Sequence, residues 1–398
     1  MESSVALHQK LDIPSEFRNY NTITESDVIV RLEEWRRQAH KVLGELYEQL
    51  KQRESLSRSE KAEIIAAVAP FDGEGSWSLE ISRVQAQEIL RPYSEPEPTF
   101  QASPHPMLNT ATGRTLPRAA GGPDAVLDHF DGQTWKDRPG MIDLLAWCVR
   151  HCESVAYEKL WHLLIPPVMT LLDDYETFYR LRGVNVASDM IQRVPADLLR
   201  RTGVDGLLFT SLKKCLAFLQ NPETSELIRA AVPTSVSLVL HTTPPGSAKR
   251  FDQLCEVLGD GIIGSIWFYA MHEQDAIEAT IDVLPASCTR WAIVPQLVFP
   301  LMPVPENAAH PRLQLSSLRA LAVVIRTCAP RMHKWKGQIL EGTLKCWHRD
   351  PVATRMLRGA IKEVCDALVV ACPSVEYARL LQADRQMFEP LVETSVKA

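Results

Sequence analysis

One stretch of the chain, residues 160–187, constrains the fold most, because it has the pattern of two helices joined by a short acidic turn. Apolar residues in its first half recur at helical spacing, which places them on one face of an α-helix. Asp173 and Asp174 interrupt the run, and the helical spacing resumes at Phe178. Because aspartate at a helix start accepts hydrogen bonds from free backbone N–H groups, the stretch predicts a helical hairpin.

The same hairpin carries residues typical of a known repeat. Pro166, Asp174 and Arg180 follow one another at intervals of eight and six residues, and these positions resemble the HEAT-repeat pattern. In that repeat the proline bends the first helix, whereas the aspartate and arginine link neighbouring repeats. The hairpin is therefore a candidate repeat unit.

Turn residues recur along the chain at intervals that fit such a repeat. Successive markers are 47, 39, 46 and 44 residues apart, and they are Asp174, Asn221, Asp260, Glu306 and Asp350. HEAT and armadillo repeats span roughly 40–47 residues, and no strand pattern competes with the helical one. The predicted fold class is all-α, an α-solenoid of HEAT-like helical hairpin repeats in which each pair buries its apolar face against the next.

Composition divides the chain into three parts. Residues 1–91 are predicted to form an N-terminal helical region. Residues 92–123 are rich in proline, which lacks an N–H donor and disfavours a helical conformation before it, so they are predicted to be a loop or disordered linker. Residues 124–398 are predicted to form the HEAT-like α-solenoid, and we expect it to fold without the residues that precede Asp124.

Charge and composition argue against several functional classes. A net charge of −6 disfavours a general nucleic-acid binder, since polyanion affinity comes from lysine and arginine. The N-terminal sequence does not resemble a secretory signal, and no run approaches the ~18 apolar residues of a membrane helix. The nine cysteines lie mostly in helical patterns, as buried free thiols do. We expect an intracellular protein with neither nucleic acid nor membrane as a direct partner.

Two motifs invite a chemical interpretation that their context disfavours. Gly259–Gly264 matches G-x-G-x-x-G, but the preceding segment has helical spacing and the motif falls at a repeat turn rather than after a strand. Cys148, His151 and Cys152 lack the paired C-x-x-C spacing of a structural zinc site, as do Cys346 and His348. No cofactor and no metal is therefore predicted.

Several polar and aromatic residues are candidates for a structural or interface role. Carboxylates at a helix start are usually caps, and no nucleophile motif accompanies them, so an interaction surface is preferred to catalysis. The arginines that precede Gly203 either cap the next helix or hold a partner's carboxylate or phosphate. The tryptophan beside the linker anchors either the fold or a partner. These candidates are Trp135, Asp173, Asp174, Tyr175, Arg180, Arg200 and Arg201.

Specific blocks of sequence also resemble the family of the second Tel-two-interacting protein. Together they cover roughly residues 130–350. The blocks are GQTWKDRPG (132–140), LLAWCV (144–149), LWHLLIPPVMTLLDDYETFYRLRG (160–183), LLRRTGVDGLLF (198–209), CLAFLQNPETSE (215–226), HPRLQLSSLRAL (310–321), CAPRM (328–332) and ILEGTLKCW (339–347).

The resemblance implies a non-enzymatic scaffold subunit of the TTT co-chaperone complex, with no catalytic residues. Its implied partners are the first Tel-two-interacting protein and the Tel-two protein. Indirect partners are heat-shock protein ninety, an AAA-ATPase adaptor complex and the phosphatidylinositol-three-kinase-related kinases, whose maturation the complex supports. The implied location is the cytoplasm, with the nucleus as a further compartment. A HEAT-type transport or assembly scaffold and a nucleotide-binding enzyme remain as alternatives.

Overall fold

The computed structural model describes residues 4–18, 26–53, 55–94, 134–267, 274–287, 293–302, 310–349 and 355–372, together with residues 382 and 385. Within these ranges every regular element is helical, which confirms the predicted all-α class. No helix in the described ranges is both long and apolar enough to cross a membrane. Much of the predicted linker, the markers Glu306 and Asp350, and the predicted final helix lie outside the described residues.

The chain divides into two compact units, Met1–Val204 and Asp205–Ala398. The helices of the first unit are α1 (Ser4–Gln9), α2 (Ser26–Lys51), α3 (Arg58–Val68), α4 (Glu80–Leu90), α5 (Met141–His151), α6 (Tyr157–Leu172), α7 (Thr177–Ile191) and α8 (Ala196–Thr202). Short 3-10 segments at Ala69–Phe71, Arg91–Tyr93 and Thr134–Asp137 join or extend them. The turn between α6 and α7 lies where the acidic pair predicts it.

The N-terminal helices and α5 share one apolar core. Leu32, Leu43 and Leu46 on α2 are fully buried, as expected for the inner face of an amphipathic helix. Trp147 of α5 belongs to the same buried cluster, and Leu144 packs against it. Residues on both sides of the proline-rich stretch therefore complete one core, while the predicted independence of residues 124–398 stays a prediction.

Two glycines allow the N-terminal helices to approach α5 closely. Gly140 precedes α5 with φ = 90°, and a Cβ there would lie 2.6 Å from Pro70 Cβ. A Cβ on Gly73 would lie 1.9 Å from the Asp143 carboxylate oxygen Oδ1. Larger residues do not fit at either position, so this contact depends on both glycines.

The second unit is a stack of helices in which alternate members pack together. It contains α9 (Val204–Cys215, which begins at the boundary), α10 (Thr224–Thr242), α11 (Ala248–Glu256), a π-helical segment (Val257–Trp267), α12 (Gln274–Ser287), α13 (Val294–Val298), α14 (Pro311–Thr327), α15 (Lys336–Arg349) and α16 (Arg355–Ala371). Helices α10, α12, α14 and α16 contact one another in succession. Such nearest-neighbour stacking is characteristic of an α-solenoid.

Two details of the predicted repeat are wrong. Asp260 does not mark a turn, because α11 continues directly into the π-helical segment that contains it. The arginines before Gly203, offered as caps of the next helix, instead lie in a separate short helix, α8, which Gly203 ends with φ = 69°. Asn221 does lie in a turn, between α9 and α10. The helical class is thus confirmed, whereas the regular spacing of its turns is not.

Candidate functional site

A buried ion cluster lies where the sequence places most of its candidate residues. Lys136, in the 3-10 segment before α5, reaches the turn between α6 and α7. Its Nζ lies 3.1 Å from Asp174 Oδ1, 3.0 Å from Asp174 Oδ2 and 2.9 Å from Glu176 Oε1. The side chains of Lys136 and Asp174 are only 8% and 0% exposed. We call Lys136, Asp174 and Glu176 the Lys136 cluster.

Aromatic rings enclose the ammonium group of this cluster. Lys136 Nζ lies 4.6 Å from the ring centre of Tyr179, 4.7 Å from that of Tyr175 and 5.7 Å from that of Trp135. Electron-rich ring faces attract a cation, and more strongly when water is excluded. Burial lowers the pKa of Lys136, but hydrogen bonds from its ammonium to Glu176 and Asp174 outweigh that effect and raise the pKa overall. The lysine therefore stays charged at neutral pH.

Asp174 also organises the turn itself. Its Oδ1 accepts a hydrogen bond from the backbone N–H of Glu176 at 2.9 Å, just before α7 begins. Arg180 donates from Nη2 to the backbone oxygen of Asp174 at 2.5 Å and is 4% exposed. One aspartate thus fixes both the start of α7 and the position of Lys136. A buried carboxylate with these contacts is a structural element rather than a free acid or base.

The other candidate residues lie in more open positions. Tyr175 is 47% exposed, Asp173 and Trp135 are half-buried, and Trp135 packs edge-on against Tyr179 with ring centres 5.1 Å apart. Arg200 and Arg201 lie in the last turn of α8 and therefore do not cap α9. Arg201 pairs with Glu158 of α6 at 2.5 Å, whereas Arg200 pairs with Asp197 within its own helix at 3.5 Å.

A second buried carboxylate, Asp143 on α5, lies near the Lys136 cluster and was not a sequence candidate. It is 2% exposed and forms an ion pair with Arg182 of α7. The neighbouring Arg150 binds Asp72, which follows the 3-10 segment Ala69–Phe71, at 3.0 Å. Burial raises the pKa of Asp143 above its ordinary value, although the Arg182 and Arg150 guanidinium groups oppose the shift. Ionisation of the Asp143 carboxyl therefore costs more free energy in the folded protein than in the unfolded chain.

The raised pKa of Asp143 gives a stability prediction with a definite sign. A group whose pKa rises on folding contributes stability below its unfolded pKa of about 3.9, and that contribution is lost as pH rises through the folded pKa. Asp143→Asn, which cannot ionise, should therefore match the wild type at acidic pH and become the more stable protein as pH approaches neutrality. Thermal melts of both proteins from acidic to neutral pH test this prediction. A difference in melting temperature that does not change with pH would contradict it.

The glycine motif adopts a conformation unlike a dinucleotide site. Gly259, Gly261 and Gly264 lie inside the π-helical segment and follow α11 without an intervening strand. A Cβ on Gly261 would lie 2.6 Å from Leu216 Cδ1, whereas Gly259 has no atom within 4 Å of that position. Close packing against Leu216, which follows α9, thus accounts for the glycine at position 261 without a nucleotide. Titration with NAD and ATP tests the alternative function, a nucleotide-binding enzyme. Gly259→Ala is the variant for comparison, because it changes a glycine of the motif and leaves the packing unchanged.

The cysteine groups considered for zinc are dispersed. Cys148 is exposed, contrary to the expected burial, while Cys152 is buried four residues later. His151 stacks on Trp147, with ring centres 4.5 Å apart, and its Nδ1 lies 2.9 Å from the Trp147 backbone oxygen. Among the described residues, no three histidine, cysteine or acidic side chains converge as metal ligands. Burial raises the pKa of the Cys152 thiol to about 11, so it remains protonated.

These observations define a helical-repeat protein whose most buried polar clusters hold helices together. The chain belongs to the Tti2 family, since the model of that family matches residues 64–291, more than half of its length. This is the family of the second Tel-two-interacting protein that the sequence blocks resemble, so that prediction is confirmed. It is a family of non-catalytic co-chaperone subunits, and membership supports a role associated with the TTT complex. No solved structure matches the chain.

Proposed function

We propose that this protein is a scaffold subunit of the TTT complex, which binds the first Tel-two-interacting protein and the Tel-two protein. In that role it supports the maturation and stability of phosphatidylinositol-three-kinase-related kinases, together with heat-shock protein ninety and an AAA-ATPase adaptor complex. The cytoplasm, with the nucleus as a further compartment, is its proposed location. Membership of the Tti2 family over residues 64–291 is the observation that carries the proposal.

The helical architecture supports a scaffold role. Alternate helices of the second unit stack face to face, so each contributes its outer surface to one extended array. Such arrays commonly present broad binding surfaces rather than enclosed catalytic pockets. Among the sequence candidates, Tyr175, Arg200 and Arg201 have side chains open to solvent, and we propose them as partner contacts. Trp135, Asp173, Asp174 and Arg180 are proposed to hold the hairpin in place.

Purification from cells tests the proposed function directly. A tagged full-length chain should recover both other subunits in comparable amounts, and loss of the chain should reduce the steady-state levels of several kinases of this class. Reintroduced wild-type protein should restore those levels. Recovery of neither subunit, or kinase levels that do not respond to the chain, would refute the scaffold proposal and favour a HEAT-type scaffold with other partners.

A further inference from the structure

Helix α14 of the second unit is buried along most of its surface and exposes one narrow ridge. Helices α12 and α16 both pack against it, and most of its residues are buried. Apart from its first and last residues, those that remain exposed or half-buried are Arg312, Leu315, Arg319, Val323 and Arg326. They follow one another at intervals of three or four residues, so they lie on one line along the helix. We call these five residues the α14 ridge.

All the charge on the α14 ridge is positive. Its three arginines are seven residues apart, and α14 contains no aspartate or glutamate. Seven residues of an α-helix rise by about 10.5 Å. Arg326 donates from Nη2 to Glu363 of α16 at 2.8 Å. By contrast, Arg312 and Arg319 form no hydrogen bond or ion pair with any residue in the described ranges. Their guanidinium groups are therefore available to carboxylates from outside the chain.

Acidic side chains on the neighbouring helix limit the width of this basic surface. Asp275 and Asp282 are exposed on α12, and Glu278 is half-buried between them. Since α10, α12, α14 and α16 follow one another in a single row, this acidic side of α12 lies beside the α14 ridge. Packed helices are roughly 8–10 Å apart, so the basic strip is about one helix wide. An extended polyanion, such as a nucleic acid or an anionic membrane, would also meet the carboxylates and be repelled.

We propose that the α14 ridge binds an acidic amphipathic helix of a partner protein, with carboxylates at every seventh position and aliphatic residues between them. Such a helix has the same rise per residue as α14, so its carboxylates stay in register with Arg312 and Arg319. Its aliphatic side chains cover Leu315 and Val323 and gain apolar contacts. Arginine is also enriched in protein interfaces. The proposal goes beyond the scaffold role, because it names the chemistry of a bound segment and does not depend on which subunits the chain binds.

A designed peptide tests the ridge on the full-length chain. The probe is an alanine-rich helical peptide of about 20 residues, long enough to form a helix in water. It carries glutamate at every seventh position and leucine at the contact positions between them. Fluorescence anisotropy at low ionic strength measures its affinity, because exposed charges are least screened there. A second peptide of the same composition has its glutamates five residues apart and cannot place them on one line, so it should bind roughly tenfold more weakly.

Charge reversal on the ridge tests the same contact from the side of the protein. Arg312→Glu combined with Arg319→Glu should weaken binding of the first peptide roughly tenfold or more, because carboxylate-binding groups become repulsive. The thermal midpoint should not change, since neither side chain has a partner among the described residues. Arg37→Glu combined with Arg91→Glu is the matched control. It makes the same change in net charge at two exposed positions of the first unit, and binding should be retained.

Several results would overturn the proposal. One is equal binding of the first peptide by the wild type and the ridge double variant, and another is equal binding of both peptides by the wild type. Displacement of the peptide by an equal charge of single-stranded DNA or of anionic vesicles would assign the arginines to polyanions instead. Self-association that the double variant abolishes, measured by light scattering, would show that a second copy covers the ridge. Recovery of the other two subunits from cells is measured separately, so failure of either proposal leaves the other standing.

Discussion

Asp174→Ala should lower the free energy of unfolding of the first unit by about 3–5 kcal/mol, the cost of removing one partner from a buried ion pair. Lys136 would remain 8% exposed, with Glu176 as its only remaining carboxylate. The backbone N–H of Glu176 would also lose its acceptor. For a unit of this size, a loss of this kind corresponds to a fall in melting temperature of roughly 6–20 °C. Calorimetry or circular dichroism measures it.

Two further variants separate the buried charge from other effects of this substitution. Asp197→Ala removes a carboxylate that is 78% exposed and pairs with Arg200, so its expected effect is below about 1 kcal/mol. Lys136→Met combined with Asp174→Ala also removes the buried ammonium that has lost one of its two carboxylates, and it should recover part of the lost stability. If Asp174→Ala were no more destabilising than Asp197→Ala, the structural role assigned to Asp174 would be wrong.

The hairpin at residues 160–187 was predictable from sequence because local signals agree there. Helical periodicity on both sides and two aspartates between them leave few other conformations, and α6 and α7 lie on either side of that turn. The segment around Asp260 lacked such agreement. Its glycines indicate a turn, yet the chain continues as a π-helix in which Gly261 packs against Leu216. Tertiary contact overrode the local preference.

Sequence patterns do not indicate the role of Lys136, because its partners are distant in sequence. Lysine is usually exposed, and nothing beside it indicates that it meets Asp174 and Glu176, which are 38 and 40 residues away. The neighbouring Trp135 was identified, but only as an aromatic residue of uncertain role. The burial of Asp143 is not predictable for the same reason, since it depends on Gly73, in the bend before α4, and on Arg182 of α7. Periodicity detects helices, but it does not detect which helices meet.

Gly183→Ala should destabilise the first unit by about 1–3 kcal/mol, although alanine is the better helix former by about 1 kcal/mol. Gly183 lies on α7, and a Cβ there would come within 2.8 Å of Leu171 Cβ and of the Leu172 backbone nitrogen in α6. Backbone atoms cannot turn aside as a side chain can, so the two helices of the hairpin would have to separate.

Gly44→Ala is the matched control for that effect, because it makes the same substitution within a helix of the same unit. Its Cβ would lie 3.1 Å from Gln85 Nε2, the mobile end of a side chain, so helix propensity should dominate and stability should stay constant or rise by up to about 1 kcal/mol. Urea denaturation of both variants measures the difference. Opposite signs for the two substitutions would establish that close packing at Gly183, and not helix propensity alone, holds α6 against α7. Equal stabilisation by both would show that the hairpin tolerates a wider separation than its backbone contacts indicate.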